Sequence, residues 1–356
     1  MRVAAYAPGR VELLGNHTDY NQGVVLAAAI DRGLKVSGER RTDGLVALRS
    51  SSFGEFTIRQ ENFRPQTEPR WVNYILGVVQ ELIDANISID DFSAEIDGNL
   101  PSGCGLSSSA ALEVATALFL LKLFGAHLPP LEVAKLCQRS DHRFVGVQSG
   151  LLDQVTSIFG RAHHAVYFDA RTEEVRTIPF PPELALVIGE SGTKRELAGS
   201  LYNQRLEETR AAAAALGLVA LRDITPGELA KRDLPSLLYR RAAHIVGEND
   251  RVQRALGLLA QNDGRGFGAL LNESHESSRQ NFENSSAELD LLVEVARSLP
   301  GVYGARLTGG GFGGATVTLC ESSAAARVAE DLAQIYLQRT GIESRIFVCR
   351  IADGAR

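Results

Sequence analysis

Asn99-Leu-Pro-Ser-Gly-Cys-Gly-Leu-Ser-Ser-Ser-Ala-Ala-Leu-Glu113 is the stretch from which the rest of this chain is read. A β-rich run at 92–97 leads into it. Leu-Pro and two glycines then break the chain, and three serines open a strong helix former over 110–124. The first N–H groups of a helix have no intrahelical partners and lie at the positive end of its dipole, which suits a phosphate. Gly103 and Gly105 let the main chain approach an anion closely. Ser107, Ser108 and Ser109 are suited to capping the helix, bonding a phosphate oxygen or ligating a hard cation such as Mg2+. No Gly-Lys-Ser/Thr follows, so this is not a Walker A loop. An ordinary glycine loop with a serine cap would read the same way, and the remaining motifs have to arbitrate.

With 356 residues the chain is long enough for two domains, each with its own core. Apolar residues at 44% and charged residues at 22% place it among soluble globular proteins. The formal charge is only −6 and no basic run interrupts the sequence, so nothing points to nucleic acid. Cys104, Cys137, Cys320 and Cys349 lie far apart with no C-x-x-C pair, which predicts reduced thiols and a cytoplasmic setting. The first apolar stretch is broken by Pro8 and is too short for a signal peptide. The most apolar helix, 110–126, carries Glu113 and Lys122 and falls short of a bilayer span, so no membrane is expected.

Strand-like and helix-like runs alternate without a repeating βα order, which predicts an α+β architecture rather than one doubly wound sheet. The change in pattern near 170 divides the chain into domains 1–170 and 171–356. Within the second, Thr308-Gly-Gly-Gly-Phe-Gly-Gly314 contains a literal G-x-G-x-x-G, but β-branched residues follow where a dinucleotide fingerprint requires a helix. A strand–glycine loop–strand is expected, shaped for close backbone approach. At the other end, 7–21 packs Arg10, Asn16, His17, Asp19 and Asn21 into one loop region beside an apolar strand, 24–30. Such a density of rigidly held short polar side chains suits a polyhydroxylated ligand.

These three signatures, in this order, resemble the GHMP sugar kinases, and within them the galactokinase family. Gly9-Arg-Val-Glu-Leu-Leu-Gly-Asn-His-Thr-Asp-Tyr-Asn21 is similar to the galactokinase signature, 100–110 to the GHMP phosphate loop, and 307–314 to the third family motif. Smaller matches run through Trp71-Val-Asn-Tyr74, Phe144-Val-Gly-Val147, Gly150-Leu-Leu-Asp-Gln154, Tyr202-Asn-Gln-Arg205 and Asn272-Glu-Ser-His-Glu-Ser277. The resemblance implies two GHMP-type domains with an active site in the cleft between them. It also implies ATP-dependent phosphorylation of a sugar at its anomeric hydroxyl, in a protein that is a monomer or weak dimer.

Residue by residue, the resemblance implies Asp153 as the catalytic aspartate and Arg10 as the arginine beside it. Ser108 or Ser109 would ligate Mg2+ together with Asp141, at a position where the family has the longer Glu. Trp71 would join the adenine pocket and Lys194 would lie near the phosphates, with Gly103, Gly105 and Ser107–Ser109 around them. Arg10, Asn16, His17, Asp19, Gly150, Asp153 and Tyr202 would line the sugar site.

Three departures bear on the substrate. The family carries Glu, in contact with the sugar's C6 hydroxyl, where this chain has Asn16. Ser149 replaces a usual cysteine, and the arm that precedes the first motif in the family is expected to be absent. Loss of a carboxylate at position 16 would suit galacturonate, L-arabinose, fucose or N-acetylgalactosamine as alternatives to galactose. A non-catalytic sugar sensor is a further alternative, opposed by the retention of Arg10, Asp153 and the serine loop.

Overall fold

The computed structural model describes residues 1–59, 62–193 and 198–356, with side chains described throughout except at 198–200. Two antiparallel-rich sheets carry the chain. The first has seven strands: β1 (Val3–Leu14), β2 (Val24–Arg40), β3 (Val46–Ser50), β4 (Gly54–Ile58), β5 (Phe92–Gly98), β6 (His164–Asp169) and β7 (Val175–Pro179). The 17-residue β2 is its spine. One edge of β2 pairs with β1, and the other pairs first with β6 and then with β5. The second sheet has the order β11 (Ile346–Cys349), β8 (Leu184–Glu190), β10 (Ala315–Glu321), β9 (Val302–Thr308), all antiparallel.

Helix α2 (Ser108–Phe124) is apolar nearly all round and accordingly sits in the interior, against β1 and β2. It stops at Gly125, whose φ of +69° supplies the left-handed C-terminal cap. Helices α1 (Asn73–Asp84), α3 (Pro130–Ser140) and α4 (Leu152–Phe159) pack around it. The second sheet is covered by α8 (Gly264–Ser277), α9 (Ala287–Ser298) and α10 (Ala325–Thr340). A separate apolar cluster joins α5 (Ala198–Ala215), α6 (Pro226–Leu229) and α7 (Ser236–Ala260). Strands and helices in mixed order thus form the expected α+β architecture.

Two features differ from the sequence reading in position. Residues 7–14, read as loop, belong to β1, because Val11, Leu13 and Leu14 bury fully while the backbone pairs with β2. The first sheet also runs past residue 170, since β7 pairs with β6 in a hairpin. The last residues return to this sheet: Ile351 bridges Ile30, and Arg356 exchanges backbone hydrogen bonds with Tyr6. All four cysteines are buried. Among the described residues no helix is long and apolar enough to cross a membrane.

Candidate active site

The strand position of Arg10 decides where its side chain goes. β1 runs beside the 99–107 loop, and the Arg10 amide donates to the Leu106 carbonyl at 3.1 Å. Gly9 is required there, because a Cβ at that position would lie 2.6 Å from the Leu106 oxygen. The Arg10 guanidinium then bridges two elements. Nη1 donates to the Gly105 carbonyl at 2.6 Å, and Nε and Nη2 reach Oδ1 of Asp153 at 2.7 and 2.6 Å. Asp153 sits in the first turn of α4, where the helix dipole favours a carboxylate. Its other oxygen, Oδ2, accepts from the Ser107 hydroxyl at 2.5 Å. Ser107 occupies the N-cap of α2 at φ +57° but makes no capping bond with its side chain. The capping role open to it in sequence is replaced by this contact with Asp153.

A cavity of about 780 Å³ opens over this cluster, within the range of small-molecule sites. It is lined by Arg10, Asn16, His17, Asp19, Gly103, Gly105, Ser107–Ser109, Asp141, Gly150, Asp153 and Tyr202 together. Gly150 is needed beside Asp19, since a Cβ there would lie 1.8 Å from Asp19 Oδ2. His17 has Nε2 3.0 Å from the Gly310 carbonyl and Nδ1 2.6 Å from the Tyr20 hydroxyl. A carbonyl only accepts, so the proton belongs on Nε2 and Nδ1 receives the Tyr20 proton. A second cavity of about 450 Å³ shares Ser102, Gly103, Ser108 and Ser109 with the first and is lined by Trp71, stacked on Phe53. Lys194 lies outside the described residues.

The 309–314 loop between β9 and β10 is indeed a strand–glycine loop–strand. Gly309 approaches the phosphate loop so closely that a Cβ would come within 3.0 Å of the Gly105 carbonyl. Its carbonyls serve the first signature: Gly309 O accepts from Asn16 Nδ2 at 2.8 Å, and Gly310 O faces His17.

Carboxyl groups dominate the field in the cavity. Burial, followed by the Asp153 and Glu12 charges, pushes the Asp19 carboxyl up to about 7. Asp141 is likewise pushed up to about 7 by burial and Asp153, against a lowering bond from Ser149. Burial and then the Asp141 charge push Glu113 well above the usual carboxylate range. Such a surplus of neighbouring carboxyls is the environment that a divalent cation relieves. Among the described residues no three His, Cys, Asp or Glu side chains are placed to hold a metal by themselves. Ser108, Ser109 and Asp141 line the same cavity, hydroxyl and carboxylate oxygens of the type a hard cation takes alongside phosphate oxygens. Trp71 lines the second cavity, and its indole N–H is buried with no partner among the described residues.

Three family models match in the order of the motifs. Residues 2–40 match the galactokinase galactose-binding signature, 73–161 the GHMP kinases N terminal domain, and 255–337 the GHMP kinases C terminal domain. A galactokinase of Roseiflexus sp. (strain RS-1) is 43% identical over 359 residues, covering 99% of this chain and 92% of the relative. The Homo sapiens galactokinase is 42% identical, with the same coverage. The chain belongs to the galactokinase family. The crystal structure of Lactococcus lactis galactokinase complexed with galactose superposes with a TM-score of 0.95 at 32% identity, over 100% of this chain and 95% of that one. A mevalonate kinase shares only the fold, at a TM-score of 0.70 and 18% identity.

Several features of the site were not legible as functional from sequence. Glu12 lines the main cavity, two residues beyond Arg10 on the same strand. Period-two spacing from Arg10 along a strand is the signal that marks it. Glu248 of α7 accepts from the Gly15 and Asn16 amides at 2.8 and 2.9 Å and holds the signature turn from 233 residues away. Arg345 lines both cavities. No local pattern marks either of these last two.

Proposed function

We propose that this chain transfers the γ-phosphoryl group of ATP to the C1 hydroxyl of galactose, giving galactose 1-phosphate and ADP. The observation that carries this reading is the Arg10–Asp153–Ser107 cluster, set at the junction of a polar cavity and the helix-start loop. The family membership and the galactokinase relatives support it.

In this mechanism the sugar occupies the main cavity with its C1 hydroxyl at Asp153. Arg10 holds Oδ1, so the carboxylate is oriented while Oδ2 faces the hydroxyl to be phosphorylated. For the sugar to reach Oδ2, the Ser107 hydroxyl has to turn away from it. Asp153 positions the attacking oxygen and accepts its proton as the bond to phosphorus forms. A loose phosphoryl-transfer transition state asks little of the base before that point. Asp19 bonds ring hydroxyls, while His17, whose two nitrogens are held by Gly310 and Tyr20, packs 4.9 Å from the Tyr202 ring and shapes that wall of the site. The adenine enters the second cavity beside Trp71, and the triphosphate crosses the backbone of 102–109. Ser108, Ser109 and Asp141 would hold Mg2+, which supplies charge neutralisation on the phosphates when bound. Arg10 adds positive charge next to the transferring group. The buried thiols fit a cytoplasmic enzyme.

The test is ADP release by the purified chain with ATP and Mg2+ against galactose, galacturonate, N-acetylgalactosamine, L-arabinose, fucose and glucose. Galactose is expected to give the highest kcat/KM. No turnover with any sugar would replace the kinase reading by a sensor.

A further inference from the structure

At position 16 the chain has Asn where the resemblance implies a carboxylate at the C6 hydroxyl. In the structure Asn16 presents no free group to a sugar. It is fully buried, its Nδ2 donates to Glu12 Oε1 at 2.9 Å and to Gly309 O at 2.8 Å, and its Oδ1 accepts from Asn284 Nδ2 at 2.9 Å. The amide is spent within the protein, and one of its partners is a carboxylate that lines the cavity itself.

We propose that Glu12 is the specificity-determining carboxylate of the sugar site, accepting a hydrogen bond from the C6 hydroxyl of galactose at Oε2, with Asn16 and Arg306 as its positioning residues. The inference rests on the sugar-kinase reading given above.

The geometry argues for it in three steps. Arg10 and Glu12 are two apart on β1 and leave the strand on the same face. That spacing sets Glu12 about 7 Å further along from Arg10, on the scale of one pyranose ring. With C1 held at Arg10 and Asp153, the opposite end of the sugar falls toward Glu12.

The two carboxylate oxygens are also inequivalent. Oε1 takes both protein donors, Arg306 Nη2 at 2.9 Å and Asn16 Nδ2 at 2.9 Å. Among the described residues no donor reaches Oε2, and Glu12 lines the cavity, which leaves Oε2 for a ligand. A carboxylate oxygen this far from bulk water gains from a hydroxyl donor.

Finally, the surrounding charge selects among the candidate sugars. Glu12 and Asp19 flank one cavity closely enough that the Glu12 charge raises the Asp19 carboxyl. A C6 carboxylate would add a third negative group, which excludes galacturonate. L-Arabinose and 6-deoxygalactose lack the hydroxyl and would leave Oε2 without a partner.

The experiment compares kcat/KM, and Kd by calorimetry, for galactose, 6-deoxygalactose and galacturonate in the full chain and in two variants. The unaltered protein is expected to favour galactose over 6-deoxygalactose by about 10–100-fold, the span of one hydrogen bond to a charged group. Glu12→Gln should remove most of that ratio. If Glu12→Gln does not fold, because Arg306 loses its counter-charge, Glu12→Asp decides. It keeps the charge beside Arg306 but withdraws the acceptor by one methylene, and it should lower the ratio several-fold. A ratio that survives in the folded variant overturns the assignment, as does a protein that phosphorylates galactose and 6-deoxygalactose equally well. Absence of all sugar turnover is a different result, and it sinks the kinase reading itself.

Discussion

Arg10 and Asp153, 143 residues apart in sequence, meet through a single oxygen: Nε and Nη2 of the arginine both address Oδ1, at 2.7 and 2.6 Å. The other carboxylate oxygen is thereby left for an exchangeable partner, occupied here by the Ser107 hydroxyl. The division of labour within one carboxylate is what makes Asp153 suitable for holding a substrate hydroxyl.

Asp153→Asn keeps an acceptor for Arg10 but removes the carboxylate that the proposed mechanism uses as the base. We expect kcat to fall by about 10²–10⁴-fold with the melting temperature little changed. Coupled ADP assays and thermal unfolding measure the two sides. Near-normal turnover in the folded variant would remove Asp153 from its role.

Gly150→Ala would drive a methyl group into the Asp19 carboxylate, 1.8 Å away. Asp19 has to swing out of place, so KM for the sugar should rise by about tenfold or more, the scale of one lost charged hydrogen bond. KM for ATP should hold. An unchanged sugar KM would show that Asp19 does not contact the sugar.

Glu248→Ala removes the clamp on the Gly15 and Asn16 amides and also strands Arg251, whose Nε donates to Glu248 Oε1 at 2.7 Å. Breaking a buried pair of this kind costs about 3–5 kcal/mol. Urea unfolding should show the loss as a lower midpoint at unchanged slope. A loss under about 1 kcal/mol would mean that water replaces the carboxylate.

Burial lowers His17 and His244 to about 3, well below their ordinary value of 6.5. Between those values the unfolded chain binds protons that the native state refuses, so stability rises with pH across the window. It is fully present above about 6.5 and is lost progressively as pH falls toward 3, at up to about 1.4 kcal/mol per pH unit for each imidazole. Chemical denaturation at a series of pH values checks this, and His244→Phe should flatten the slope. A slope unaltered by that substitution would assign the acid sensitivity elsewhere.

Much of the fold was legible locally. The phosphate loop announces itself by Leu-Pro, two glycines and a serine-opened helix, and the structure has the strand, loop and helix where those residues put them. The glycine-rich 309–314 segment was separable from a dinucleotide fingerprint because β-branched residues follow it, and β10 begins at Ala315. Residues 7–14 misled because Pro8, Gly9 and several polar side chains mimic a loop. They form a strand only because β2 supplies a pairing edge and because Arg10 and Glu12 find charged partners in Asp153 and Arg306.

The sequence by itself determined the elements whose cause is local: helix periodicity, left-handed glycines and unsatisfied amides at a helix start depend only on neighbouring residues. Only the tertiary structure decided which polar side chains face the ligand and which are spent on the protein. Asn16 and Glu12 show why. Both are short polar residues in the same motif, yet Asn284, Gly309 and Arg306, all more than 260 positions away, turn the first inward and leave one oxygen of the second open. A buried polar group must be satisfied, and the partner that satisfies it is chosen by packing that no local pattern records.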